Sequence, residues 1–291
     1  MGFELRNVTF AYPGSLDRPS MRNINVDIKP SQLVVIVGAN GSGKSTLIKL
    51  LTRLYDPTSG TLEVDGQPLA AYRQRDLRQA TAVLSQGHRL FPLSMGENIG
   101  LGCVEKVRDV DAVRAAAQAG GATACIAKLR HGLDTVLDPQ TRAYGENVTE
   151  EEDDPLRQRL EALEKPIEVS GGETQRIVAA RTFMRLTSGN IRAVFVDEPS
   201  SALDAEGELA LFNNLCKERE GKTMIFVTHR FGHLTRDADL IICLKDGEIV
   251  EQGVHAGLMS SGGEYSKLYE IQASAFPAAY DDCGREDSMN S

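Results

Sequence analysis

Gly38-Ala39-Asn40-Gly41-Ser42-Gly43-Lys44-Ser45 is the stretch that decides how this chain is read. It fits the pattern G-x-x-x-x-G-K-[ST]. An apolar run, Leu33 to Val37, precedes it and a helical pattern, Thr46 to Leu54, follows, so the glycines stand where a buried strand gives way to a helix. Glycine lets backbone N–H groups close around phosphate oxygens, and the helix behind points its positive dipole end at the same anion. Lys44 is expected to reach the outer phosphates. Ser45 is expected to offer its hydroxyl to Mg²⁺, which keeps most of its waters and borrows few protein oxygens.

Working outward, Glu4 to Phe10 and Ile24 to Ile28 alternate apolar and polar residues as half-buried strands do, with a Pro/Gly/Ser-rich loop, Pro13 to Ser20, between them. Leu33 to Val37 is apolar on both faces, which suits a central parallel strand. Thr61 to Val64 runs into Asp65-Gly66, a strand entering a tight turn. Further strands are expected at Thr81 to Leu84, Arg192 to Val196 and Thr223 to Val227, and a closing hairpin at Leu240 to Glu251. Between about residues 87 and 187 the pattern turns helical, with Val110 to Gln118 and Thr123 to Leu129 as helices, so a mostly α lobe is expected inside an α/β core. Within that lobe an acidic run, Glu146 to Asp154, opens a solvated insertion of about residues 146–165. After Gln272 the chain becomes rich in Ala, Asp and Ser, and residues 273–291 are expected to form a flexible tail.

Two further stretches carry chemistry. The strand Arg192 to Val196 ends in two carboxylates, Asp197 and Glu198. Beside a phosphate loop, the first suits the hold on Mg²⁺ and the second suits orienting and deprotonating an attacking water. Ser170-Gly171-Gly172-Glu173 places small residues at the start of a second helix, Thr174 to Leu186, and so repeats the anion-receiving arrangement. His229 follows the strand Met224 to Thr228, where ligands sit in open parallel sheets, and is expected to contact the γ-phosphate. Gln86 follows another strand and could ligate Mg²⁺ or water through its amide oxygen.

Composition bounds the rest. A chain of 291 residues, 41% of them hydrophobic, can bury a full core. With 32 basic against 41 acidic residues the net charge is −9, which argues against a general grip on nucleic acid. The five cysteines form no C-x-x-C pair, so neither a zinc site nor a disulfide framework is expected. No apolar run approaches a membrane helix and the N-terminus lacks the layout of a secretory signal, so the chain reads as soluble on its own.

Taken in order, these motifs resemble the nucleotide-binding domain of ATP-binding cassette (ABC) proteins over Phe3 to Gln272, that is, residues 1–272 as one ATPase domain. The resemblance implies an α/β fold: a P-loop NTPase core, mostly parallel sheet plus N-terminal antiparallel strands, with an inserted α-helical signature lobe. Tyr12 then matches the aromatic that stacks on adenine, Gly38 to Ser45 with Thr46 behind it the Walker A loop, and Gln86 the Q-loop glutamine. Ser170 to Glu173 matches the signature, Asp197 and Glu198 the Walker B pair, Ser201-Ala202-Leu203-Asp204 the D-loop, and His229 the switch histidine. It implies ATP with Mg²⁺, and a head-to-tail dimer in which each ATP lies between one subunit's Walker A loop and the other's signature. Two departures stand out. Val169 and Glu173 replace the common Leu and Gln, and the segment Gly145-Glu146 is separated from Ser170 by the acidic insertion.

Leu90 to Ile99, Gly247 to His255 and Gly263 to Tyr269 resemble the exporter version of the domain. That implies an ATPase working at the cytoplasmic side of a membrane through a membrane domain supplied by a missing part of the polypeptide or by a separate subunit. The alternative is a soluble ABC ATPase uncoupled from transport, of the translation-factor or regulatory kind, although translation factors resemble two cassettes in tandem and one Walker A loop occurs here.

Overall fold

A computed structural model describes residues 1–85, 87, 89–137, 169–198, 203–228 and 232–275. Gln86, Gly145-Glu146, the acidic insertion, Ser201-Ala202, His229 and the tail beyond Ala275 lie outside the described residues. The chain divides into two units, Met1–Ser85 with Asn190–Glu198 and Cys216–Ser291, and Gln86–Gly189 with Pro199–Leu215. The second therefore takes in more than the span 87–187 expected for the helical lobe.

The first unit holds both sheets. Strands β1 (Phe3–Phe10), β2 (Met21–Ile28), β4 (Ser59–Val64) and β5 (Gln67–Pro68) form an antiparallel sheet in the order β2-β1-β4-β5. The β4–β5 turn is the expected tight one, with Asp65 and Gly66 both left-handed at φ 47° and 75°. The second sheet, of six strands, follows the order β10-β9-β3-β8-β7-β6, from β3 (Leu33–Gly38), β6 (Thr81–Ser85), β7 (Ala193–Asp197), β8 (Thr223–Val227), β9 (Leu240–Lys245) and β10 (Glu248–Gly253). Every pairing in it is parallel except the β9–β10 hairpin.

Side chains alternate across a strand, which explains why β3 is apolar throughout. Val34 and Ile36 face a core shared with the antiparallel sheet and helix α1 (Lys44–Leu51), where Phe3 meets Phe195 edge-on at 5.8 Å. Such an aromatic pair contributes about 0.5–1.5 kcal/mol beyond the area it buries. Val35 and Val37 face the other way, toward Leu258 of a C-terminal helix, His255–Ser261, and Tyr265 and Tyr269 of the next, Glu264–Ala275. The two tyrosines stand one helical turn apart, and this packing carries the last helix past Gln272, where the sequence reading began the tail.

Helix α1 also departs from its expected span of Thr46 to Leu54. It begins inside the glycine motif and stops at Leu51, where the Thr52 hydroxyl bonds to the Ile48 carbonyl and Arg53 turns left-handed at φ 53°. From there the Arg53 guanidinium donates to the Leu69 and Tyr72 carbonyls, fixing the turn toward α2 (Gln74–Gln79).

The second unit is helical among its described residues. Helix α3 (Met95–Gly100) starts from a capping box of Ser94 and Glu97, and α4 (Val110–Ala119) from the Asp109 carboxylate. After α5 (Thr123–Ala127) come α6 (Gly171–Leu186) and α7 (Ala205–Lys217), the latter belonging here through Leu215. Asn98, fully buried, accepts from the Phe91 N–H and from Arg181, and donates to the Phe91 and Ser94 carbonyls. Its polar atoms are thereby paired, which a buried amide requires.

Candidate active site

In the first unit, β3 delivers the chain to Gly38 and α1 takes it up at Lys44. The turn between them needs glycine at two places. At Gly38 (φ 151°) a Cβ would lie 2.2 Å from the Leu244 carbonyl oxygen, and at Gly43 (φ 105°) 2.5 Å from Met21 Sδ. Gly43 caps α1 without any side-chain acceptor, so the first N–H groups of the helix have no partner from a capping side chain.

Lys44 is buried and its Nζ donates to the carbonyls of Gly38 at 3.0 Å and Ala39 at 3.1 Å, with the Glu198 carboxylate 3.7 Å away. Ser45 donates its hydroxyl to Asp197 Oδ1 at 3.1 Å. Burial pushes the Asp197 carboxyl above the usual range, and the Ser45 hydrogen bond pulls it back down. Glu198 turns left-handed at φ 45°, uncommon for a residue with a side chain, and its N–H is held by the Val227 carbonyl at 3.0 Å. That turn aims the carboxylate at Lys44 rather than along the strand. Ser85 and Val227 both pair in register with Asp197, so the strands leading to Gln86 and to His229 end at the level of the acids.

These groups surround an open cleft of about 680 Å³, lined by Asn40, Gly41, Gly43, Lys44, Ser45, Thr46 and Glu198. Gly38, Ala39 and Ser42 belong to the loop but not to the cleft wall. Ser42 is 4% exposed, and its hydroxyl has no hydrogen-bond partner among the described residues. Pro19, Ser20, Asp246 and Gly247 complete the wall, and sequence reasoning missed all four. Tyr12 is not on it. Its hydroxyl shares a hydrogen bond with Thr46 at 3.0 Å and accepts one from Lys49 at 3.3 Å, while its ring meets Phe10 and Tyr55 edge-on.

The donors fit the expected Mg²⁺. A hydroxyl and a carboxylate are hard oxygens, and an ion that keeps most of its waters needs few of them. Among the described residues no group of three or more His, Cys, Asp or Glu gathers to hold a metal, here or elsewhere.

The stretch expected to be the signature, Ser170 to Glu173, lies in the second unit, and there Ser170 caps α6. Its hydroxyl accepts from the Glu173 N–H at 3.2 Å, and the Glu173 carboxylate accepts from the Ser170 N–H at 3.0 Å. Hydrogen bonding with Ser170, its backbone N–H first and its side chain second, holds the Glu173 carboxyl below its ordinary range. One turn on, Arg176 donates to Asp204 Oδ1 at 3.2 Å, and the same oxygen accepts from the Gly207 N–H at 3.1 Å, so Asp204 caps α7.

Comparison with known proteins follows the same lines. The sequence model of the family described as ABC transporter matches residues 21–201. The chain belongs to the ABC transporter family. Among its relatives, an ATP-dependent lipid A-core flippase from Yersinia pestis bv. Antiqua (strain Antiqua) is 36% identical over 269 residues, 92% of this chain and 41% of that protein. The ABC-type transmembrane transporter verA from Clonostachys rogersoniana is also 36% identical, over 92% of this chain and 19% of its own length. A solved structure of a bacterial Atm1-family ABC exporter with ATP bound superposes with a TM-score of 0.76 at 30% identity, covering 94% of this chain and 42% of that one. The chain thus spans about two-fifths of the flippase it matches. It is an ABC nucleotide-binding domain, a module that binds and hydrolyses ATP. Among the described residues no helix is long and apolar enough to cross a membrane.

Proposed function

We propose that this ABC domain powers an exporter, hydrolysing ATP with Mg²⁺ at the cytoplasmic side of a membrane and acting through a membrane domain. The observation that carries the chemistry is the convergence of Lys44, Ser45 and Glu198 on one cleft, with Asp197 accepting from the Ser45 hydroxyl beside it. The similarity over 92% of the chain to a flippase supports export over a soluble ATPase uncoupled from transport.

When ATP enters, Lys44 exchanges the Gly38 and Ala39 carbonyls for phosphate oxygens, and the N–H groups at the start of α1 receive the anion. Bound Mg²⁺ supplies neutralisation of phosphate charge. Ser45 and Asp197 are the residues that would hold it, with Gln86 as a third oxygen donor. Glu198 takes the proton of the attacking water, and His229 contacts the γ-phosphate. Tyr12, hydrogen-bonded to the cleft residue Thr46, presents its ring to adenine. Tyr12→Ala should then weaken Mg-ATP binding by about 1–3 kcal/mol while Tyr12→Phe does not, by analogy with base stacking.

A second copy or a related ABC domain completes the site by offering Ser170, Gly171, Gly172 and Glu173 to the γ-phosphate, with Asp204 beside them. The test is Glu198→Gln on a sizing column. With Mg-ATP the variant should elute as a dimer, and adding Ser170→Arg should return it to monomer with ATP still bound. A Glu198→Gln protein that binds Mg-ATP yet stays monomeric at high concentration would count against the shared site.

A further inference from the structure

The turn between β9 and β10 does more than reverse the chain. Asp246 and Gly247 are both left-handed, at φ 50° and 81°, and both line the cleft next to Ser20. Gly247 donates its N–H to the carbonyl of Ser42, in the middle of the phosphate loop, at 3.1 Å. Its own carbonyl accepts from the Arg22 N–H at 2.8 Å, while Arg22 Nη2 donates to the Asp246 carbonyl at 2.7 Å and Nε meets the Glu248 carboxylate at 3.2 Å. The packing allows no slack. A Cβ on Gly247 would stand 2.6 Å from the Ser20 carbonyl oxygen, just as one on Gly43 would meet Met21.

A loop that wraps an anion turns N–H groups inward, so its carbonyls point out and need partners of their own. Gly247 supplies one of them to Ser42. We infer that the Asp246-Gly247 turn, clamped by Arg22, is a positioning element of the nucleotide site that holds the phosphate loop in its anion-receiving shape. This rests on the nucleotide reading above. Arg22 lies outside the cleft wall, and its side chain is 48% exposed, so it can be changed without removing any core side chain or any group that lines the cleft.

The experiment uses the full chain and two readouts, Mg-ATP affinity by calorimetry and steady-state ATPase kinetics. The parent, Arg22→Ala, Arg22→Lys and Gly247→Ala are compared with Lys245→Ala, which removes an exposed ion pair to Glu264 from the same hairpin. Arg22→Ala should weaken Mg-ATP binding about 3- to 10-fold, the range expected for a lost hydrogen bond, and raise KM by the same factor with kcat at saturation unchanged. Arg22→Lys should fall between it and the parent, Gly247→Ala should lose more, and Lys245→Ala should match the parent. Parent-like affinity in Arg22→Ala, an equal loss in Lys245→Ala, or a fall in kcat with KM constant would each overturn the clamp. A parent chain that binds no Mg-ATP overturns the nucleotide reading and the clamp with it, and if Gly247→Ala does not fold, Arg22→Ala decides alone.

Discussion

Helix α1 and helix α6 both begin behind small residues, yet their first turns are finished in opposite ways. At α1 the cap is Gly43, with no side-chain acceptor and no acid in the first turn. At α6 the cap is Ser170, locked to Glu173 in a reciprocal box, with the Glu173 carboxylate at the positive end of the helix. A carboxylate there contributes about 0.3–1 kcal/mol, and a serine cap about 1 kcal/mol over alanine. The signature helix is thus complete on its own, whereas the loop helix leaves its leading N–H groups for a ligand. Two matches to one general idea, small residues ahead of a helix, differ in the free chain: one leaves its first turn for an anion, and the other holds its first turn with its own side chains until, on the proposal above, a partner's nucleotide reaches it.

The most severe test of that contrast compares the acids that accompany each helix start. Glu198→Gln should lower ATP hydrolysis by about 100- to 10,000-fold, the usual worth of a general base, with Mg-ATP affinity within a few-fold of the parent. Glu173→Gln keeps a hydrogen-bonding box and should leave the rate within about ten-fold. Equal losses in a steady-state ATPase assay would erase the distinction between a chemical and a structural acid.

A smaller effect is expected in stability. Gly43→Ala puts a side chain at φ 105° and against Met21, which should cost about 1–3 kcal/mol. Ser170→Ala loses only its cap and should cost about 1 kcal/mol, and Ser170→Gly a few tenths. Urea unfolding of the full chain measures all three, and a Gly43→Ala protein as stable as the parent would show the loop tolerates what its geometry forbids.

The smallest effect is in pH. Glu173 has its carboxyl lowered from an ordinary 4.5 by hydrogen bonding with Ser170, so the folded state binds that proton less readily than the unfolded chain. Its contribution is therefore present above pH 4.5 and fades as the pH falls through the lowered value. The stability difference between parent and Glu173→Gln should shrink on acidification, and a gap that stays constant from about pH 7 to pH 3 would sever the link between that hydrogen bond and the helix start.

Much of this was legible in sequence because it is local. Strand β3 announced itself by five apolar residues in a row, and β8 was placed to within one residue, since alternation and burial act over neighbours. Lys44, Ser45, Asp197 and Glu198 were legible from motif and strand end. The helices Gly232–Arg236 and His255–Ser261 were not, being too short for a period of 3.6 residues to repeat. Ser94 and Glu97 did spell a capping box ahead of α3, a signal the pattern search passed over. The walls from Pro19, Ser20, Asp246 and Gly247 were hidden for another reason: Asp246-Gly247 reads as an ordinary hairpin turn, and only pairing of β9 beside β3 brings it to the loop. Tyr12 was chosen by its place in the chain; it lies off the cleft wall, with its ring edge-on to Phe10 and Tyr55 and under the Lys49 ammonium.

The strand order of the six-stranded sheet has a consequence for how the chain is made. Both neighbours of β3 come from far downstream, Leu33 pairing with Met224 and Val34 with Leu240 as well as Ile225. On the ribosome the phosphate-loop strand is therefore finished long before anything that can flank it, and an all-apolar segment with two open edges is the kind of surface that chaperones shield and aggregates recruit. A nascent chain released before Leu240 would leave one edge of β3 bare, whereas one released after Gly253 carries both flanking strands and the hairpin that closes the sheet. The time between synthesis of Leu33 and synthesis of Gly253 sets how long this protein depends on others to keep it from sticking.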